Sequence, residues 1–149
     1  MEISPASLLD LMALRRIENA CFPKDAWPLL DLLAVLSYPE VIRLKAVEDG
    51  QMVGFIAGDL RRGEGVAWIA TIGVLPEYRR RGIARRLLHE CENLLNTSVV
   101  KLCVRTENRE AILLYEREGY MVKETWRNYY NDGGDALVME KYRPKSEFI

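Results

Sequence analysis

Six residues near the middle of the chain, Arg79-Arg80-Arg81-Gly82-Ile83-Ala84, set three guanidinium groups beside a glycine. Guanidinium is a planar, permanently charged donor that suits phosphate oxygens. The run Trp68 to Val74 before them is apolar and β-branched, which predicts a buried strand, and Leu75-Pro76 breaks it. A helical pattern begins just after. A strand, a basic glycine bend and the free N–H groups of a helix start make a cradle for an anion such as a diphosphate. Two common phosphate loops are excluded. No Gly-Lys-Ser/Thr closes the stretch, as a Walker loop requires, and the three-glycine dinucleotide fingerprint is missing. The plain alternative is a strand–loop–helix whose basic turn is only solvated.

Other reactive side chains are few. His89, the single histidine, sits among charged neighbours and reads as a solvated helix-surface residue, so no metal site is expected. Cys21, Cys91 and Cys103 are odd in number and widely spaced. That pattern predicts free thiols in a reducing, cytoplasmic compartment. A net charge of −1 gives no reason to expect nucleic acid. No apolar run is long enough to cross a bilayer, and no secretory signal opens the chain. The 149 residues fit one domain with a full-sized core.

The elements that must position the bend can be read in order. Met1 to Ser4 reads as a short strand. Ser4-Pro5 then reads as a helix start, with an apolar stripe from Leu8 to Cys21. Phe22 to Pro28 is a loop with two large aromatics, Phe22 and Trp27. A second helix runs from about Leu29 to Ser37. Strands follow at Val41–Glu48, Gln51–Leu60 and Val66–Val74, the first two joined by the hairpin signal Asp49-Gly50. The helix after the bend is expected from about Glu77 to Asn96, with Ile83, Leu87, Leu88, Cys91, Leu94 and Leu95 facing the sheet and its Arg and Glu residues outward. Val99 to Val104 returns as a parallel strand. Asn108 precedes a helix over Arg109–Glu118, striped by Ala111, Ile112, Leu114 and Tyr115, and Gly119 ends it. Strands over Tyr120–Tyr129 and Ala136–Tyr142 close the sheet, and Arg143 to Ile149 reads as a frayed tail. The sum is an α/β chain: a mixed sheet of six or seven strands, an antiparallel meander then a parallel pair, with helices packed on it.

The bend satisfies Gln/Arg-x-x-Gly-x-Gly/Ala and so resembles the acetyl-CoA motif of the GCN5-related N-acetyltransferases. The element order is similar to that family over nearly the whole chain. Asn108 followed by Ala111-Ile112-Leu113-Leu114-Tyr115 and Gly119-Tyr120 looks like a second family block. Arg127-Asn128-Tyr129-Tyr130, followed by Asp135-Ala136, resembles the branch that acetylates protein N-termini. The resemblance implies a splayed parallel pair holding acetyl-CoA. Its pantetheine would meet Ile72, Gly73 and Val74, with Gly73 allowing a bulge. Its pyrophosphate would meet the N–H groups of Arg80, Arg81, Gly82, Ile83, Ala84 and Arg85, and Arg79 is expected among the cofactor-binding residues. Asn108 matches a cofactor-contacting residue of the family, or is a plain helix cap. Tyr115 matches the tyrosine that protonates the departing thiolate, or is one more residue of the apolar stripe. Phe22, Trp27, Cys103, Tyr129 and Tyr130 would line the acceptor pocket, with only one of the adjacent tyrosines facing it.

One departure affects the mechanism. The ribosomal-protein-alanine acetyltransferases carry a glutamate base in the fifth strand, and Cys103 stands at the matching place. A thiol in an apolar pocket is a poor base. About a fifth of an α-amine is neutral at pH 7.4, against about 0.1% of a lysine amine. The site therefore suits an α-amine, with water relaying the proton to backbone carbonyls, Tyr130 or Glu107. The expected acceptor is a protein N-terminus, and the expected state a monomer or weak homodimer free of membranes and nucleic acid. A small-molecule amine as acceptor, and an acetyl-CoA-binding module without turnover, remain the alternatives.

Overall fold

The computed structural model describes residues 1–143. Among them seven strands form one sheet: β1 (Glu2–Pro5), β2 (Val41–Glu48), β3 (Gln51–Arg61), β4 (Val66–Val74), β5 (Val99–Arg105), β6 (Met121–Trp126) and β7 (Ala136–Tyr142). The α-helices are α1 (Leu11–Cys21), α2 (Leu29–Ser37), α3 (Ile83–Leu95) and α4 (Arg109–Arg117). Across the sheet the order is β1-β2-β3-β4-β5-β7-β6. Every neighbouring pair is antiparallel except β4 and β5. The mixed sheet expected from the hydrophobic pattern is therefore present.

β3 is buried from Met52 to Gly58 because helices cover both of its faces. Ile17 and Cys21 of α1 lie over Gly73, the partner of Phe55. Ile83 and Leu87 of α3 lie over Gly54, whose side points the other way. α4 stands beside α3, tied by Arg85 Nε to Glu118 Oε2 at 3.3 Å and by a His89–Glu118 contact. His89 is therefore paired rather than merely solvated.

Four local expectations are corrected. Ser4 and Pro5 belong to the edge strand β1, where a missing N–H costs nothing. The helix-start signal lies at Ser7, whose Oγ accepts from Leu9 N–H at 3.3 Å while Asp10 Oδ2 accepts from Ser7 N–H at 2.9 Å. The α3 helix begins at Ile83, not near Glu77, because Arg80 (φ 64°) and Gly82 (φ 78°) are left-handed. On α3, Leu94 is exposed and Glu92 is buried. Position decides this: Leu88, Cys91, Glu92 and Leu95 share the i, i+3, i+4, i+7 face. Glu92 is satisfied there by Tyr120 Oη at 2.6 Å and Lys141 Nζ at 3.0 Å. Arg143 also fastens to Glu92 and Asn93, and its N–H bonds Ser98 O at 2.6 Å, so it is no frayed residue. The remainder of the expected tail, 144–149, lies outside the described residues.

The feature that positions the site is a gap. β4 and β5 pair only over Val66–Trp68 and Val99–Lys101. Ala57 pairs with Thr71 while Gly58 pairs with Ile69, so Ala70 is an extra residue. Such a bulge bends its strand, and beyond it β4 and β5 part. The bulge is thus at Ala70 and not at Gly73. A Cβ on Gly73 would come 3.1 Å from Cys21 Sγ and 3.3 Å from Ile17 Cγ2, so that glycine admits α1.

Candidate active site

The parted strands open into a cavity of about 470 Å³. β4 and β5 form its floor, α1 and the following loop one wall, and the bend 78–85 with α4 the other. Ile72, Gly73 and Val74 all border it, but their backbone groups differ. Leu75 N–H bonds Val53 O at 2.8 Å, so the alternate pair Gly73–Phe55 also exchanges its hydrogen bonds. The amide groups of Gly73 therefore face β3, and those of Ile72 and Val74 face the gap. Val74 O is already taken by Arg79 Nε at 2.9 Å and Cys21 Sγ at 3.3 Å. The donors and acceptors left for a ligand are Ile72 N–H, Ile72 C=O and Val74 N–H.

The bend behaves as a cradle. Among the described residues no protein acceptor takes a backbone N–H from Arg80 through Arg85. A Cβ at Gly82 would meet nothing within 4 Å, so the glycine is required by its φ of 78°. Arg79, Arg80, Gly82, Ile83, Ala84 and Arg85 line the cavity, and Arg117 of α4 adds a further guanidinium. Arg81 does not line it. Its side chain turns to Glu48 Oε2 at 3.5 Å and over the Tyr78 ring at 5.0 Å, leaving only its backbone for a ligand.

Tyr115 is 7% exposed and lines the cavity at the gap. Among the described residues nothing hydrogen-bonds its hydroxyl. Burial, with Tyr130 nearby, raises its pKa above the ordinary tyrosine value, so it is a protonated donor at neutral pH. Asn108 also borders the cavity. Its Oδ1 caps α4 by accepting from Ala111 N–H at 3.2 Å, which leaves its amide nitrogen uncommitted.

Phe22, Trp27, Cys103 and Tyr130 meet at the other end. Tyr129 does not line the cavity; β6 stops at Trp126, and Tyr129 packs on Trp126 at 5.4 Å and Tyr130 at 5.0 Å. Burial pushes the Cys103 thiol up, with a nearby Tyr129 hydroxyl opposing it. Burial also pushes Tyr130 up, to about 12. Glu107 is exposed and outside the cavity lining, with Oε1 3.3 Å from Arg105 Nη1.

Two functional residues, Arg105 and Glu18, carry no signal in the sequence. Arg105 forms a two-pronged pair with Asp25, reaches Asp132 Oδ1 at 3.1 Å, and lies 4.3 Å over the Tyr130 ring. It clips the α1–α2 loop to the β6–β7 loop. Glu18 of α1 is 2% exposed and borders the cavity. Its Oε2 accepts from Thr71 Oγ1 at 2.7 Å and its Oε1 from Trp27 N–H at 3.4 Å. Burial raises its pKa despite both bonds.

The sequence profile of the Acetyltransferase (GNAT) family matches residues 11–120. The chain belongs to this family. It is an N-acetyltransferase whose cosubstrate is acetyl-CoA. The N-alpha-acetyltransferase RimI of Mycobacterium tuberculosis is 37% identical over 121 residues, 78% of this chain and 76% of its own. An uncharacterized N-acetyltransferase of Methanocaldococcus jannaschii is 34% identical and covers 99% of this chain and 95% of its own. The crystal structure of the ribosomal-protein-S18-alanine N-acetyltransferase from Escherichia coli superposes with a TM-score of 0.86 at 27% identity. That match covers 99% of this chain and 97% of the other. The GNAT fold thus accounts for the parted strands and for the strand–bend–helix beside them.

Proposed function

We propose that the chain transfers acetyl from acetyl-CoA to the N-terminal α-amine of a protein, by direct attack with both reactants bound. The observation that carries this is the one cavity that joins the cradle of unused N–H groups, the hydroxyl of the buried Tyr115, unpartnered among the described residues, and an aromatic mouth at Phe22, Trp27 and Tyr130. Acetyl-CoA supplies an activated thioester. The N–H groups of 80–85 bind its pyrophosphate. Ile72 and Val74 pair with its pantetheine amides as a third strand would. The Asn108 amide offers one further donor. Tyr115 gives its hydroxyl proton to the sulfur as the C–S bond opens. Holding amine and thioester together supplies much of the rate.

The acceptor assignment draws on relatives whose names specify N-alpha-acetyltransferases, at 37% identity in the mycobacterial case. A lysine acceptor fits less well, since only about 0.1% of its amine is neutral at pH 7.4 against about a fifth of an α-amine. The chain acts as one N-acetyltransferase domain over 1–149, as a monomer or weak homodimer. Its cysteines, all free, suit a cytoplasmic setting.

The test is a panel of peptides with different first residues, together with small amines, incubated with acetyl-CoA. Free thiol release and a mass gain of one acetyl at the peptide N-terminus are expected. Acetylation confined to small amines or lysine side chains overturns the acceptor. Tight acetyl-CoA binding with no transfer overturns the activity in favour of a sensor.

A further inference from the structure

The carboxylates that line the cavity differ in their partners. Asp25 is neutralised by both prongs of Arg105. Glu110 borders the cavity but is exposed, at the start of α4. Glu18 differs from both. It is buried, it faces the cavity, and among the described residues no lysine, arginine or histidine pairs with it. Its two protein bonds, from Thr71 Oγ1 and Trp27 N–H, occupy two of about four lone-pair positions. A buried carboxylate without a counter-ion is costly, which is why burial raises the Glu18 pKa, and an incoming cation would offset that cost. An acceptor amine enters this cavity as an ammonium group.

We propose that Glu18 is the acid–base residue of the transfer: its carboxylate receives the acceptor's ammonium group and takes its proton. This rests on the acetyl-transfer reading above and supplies the base that Cys103 does not. One N–H proton passes to Glu18, directly or through one water. The freed lone pair forms the N–C bond to the thioester carbonyl carbon. The C–S bond breaks, and the sulfur takes the proton of Tyr115 Oη. The nitrogen, cationic after attack, gives up its second proton to water as the intermediate collapses; an equivalent proton from solvent restores Tyr115, and the one on Glu18 leaves to solvent. The net products are the amide, free coenzyme thiol and one proton.

The surroundings support this division of labour. Cys103 and Tyr130, across from α1, are held neutral by burial. Cys21, one turn along α1, is likewise raised by burial and bonds to Val74 O. Arg79 is spent on that same carbonyl, and Arg105 on Asp25 and Asp132. A carboxylate lifted above its ordinary range by desolvation is also a better match to an amine's pKa.

The test compares wild type, Glu18→Gln and Thr71→Val with an accepted peptide across pH 6–9.5. Glu18→Gln is expected to keep acetyl-CoA binding and thermal stability. Its kcat/KM for the peptide should fall about 10²–10³-fold at pH 7. The deficit should shrink by up to about tenfold as pH passes the amine's own pKa, because the neutral amine, roughly a tenth of the total at pH 7, then forms unaided; the rest reflects the proton that Glu18 accepts during attack. Thr71→Val, which removes a hydrogen bond but not the carboxylate, should stay within about tenfold of wild type. A Glu18→Gln enzyme matching wild type at pH 7, or one whose deficit is the same at every pH, overturns the assignment. Should Glu18→Gln fail to fold, the wild-type profile decides. A kcat/KM flat from pH 7 to 9 supports the base, and one climbing with the amine's titration refutes it. No transfer by wild type to any amine removes the function and this inference together.

Discussion

Arg105 and Asp25 lie eighty positions apart in the chain and meet through two parallel hydrogen bonds, Nε to Oδ2 at 2.6 Å and Nη2 to Oδ1 at 2.7 Å. Through Asp132 and the Tyr130 ring the same guanidinium holds the opposite wall of the acceptor mouth. Arg105→Ala should therefore loosen both walls. KM for the peptide is expected to rise about tenfold, equivalent to about 1.4 kcal/mol, while KM for acetyl-CoA changes little. Arg105→Lys should not restore it, since an ammonium group cannot make the paired bonds. Initial rates with each substrate varied in turn check this; equal rises in both KM values would refute the clip.

Tyr115→Phe removes the proton donor without altering the packed ring. A fall in kcat of about 10²-fold or more is expected, with acetyl-CoA affinity nearly unchanged. A general acid works only while protonated. Burial raises Tyr115 above the ordinary tyrosine value of about 10. The wild-type rate should therefore show no descending limb up to about pH 10, the ordinary value. A decline setting in near pH 9 would contradict a buried tyrosine acid.

Cys103→Ala should leave turnover within about threefold of wild type, because a thiol pushed up by burial contributes little thiolate. Slow alkylation by iodoacetamide at pH 7.5 is the companion measurement. A loss of several hundredfold in the variant would give the thiol a direct chemical role.

Two glycine substitutions should separate binding from folding. Gly82→Ala meets no protein atom but imposes a left-handed φ, at about 1–2 kcal/mol. It also places a methyl at the cradle, so acetyl-CoA affinity should fall. Gly73→Ala crowds Cys21 and Ile17, at about 1–3 kcal/mol. It should lower Tm by about 2–4 °C per kcal/mol, with KM values close to wild type in what remains folded. Thermal melts with and without acetyl-CoA, beside initial rates, distinguish the two.

Much of this was legible in the amino-acid order because it is local. The bounds of β2, β4 and β7 follow from β-branched runs between turn residues, and Asp49-Gly50 marks its hairpin by itself. The bend, Asn108 and Tyr115 are likewise carried by short motifs. What escaped depends on contacts between distant positions. Glu18 follows Ile17 on an amphipathic helix, and nothing nearby in the chain reveals that Thr71 and Trp27 will close over it. Glu92 sits on the apolar face of α3 because Tyr120 and Lys141, far along the chain, satisfy it. The turning of Arg81 toward Glu48 and the bulge at Ala70 depend in the same way on neighbouring strands.

The separation of β4 from β5 past Trp68 leaves the sheet unfinished at its centre. Acetyl-CoA seated in that gap, as proposed, would complete what two strands elsewhere complete for each other. Folding and coenzyme supply are then linked by mass action: coenzyme at a hundred times its dissociation constant adds about 2.7 kcal/mol to the native state. In a starved cell the same chain would be less well folded, and the first copies cleared by proteases would be those that found no coenzyme.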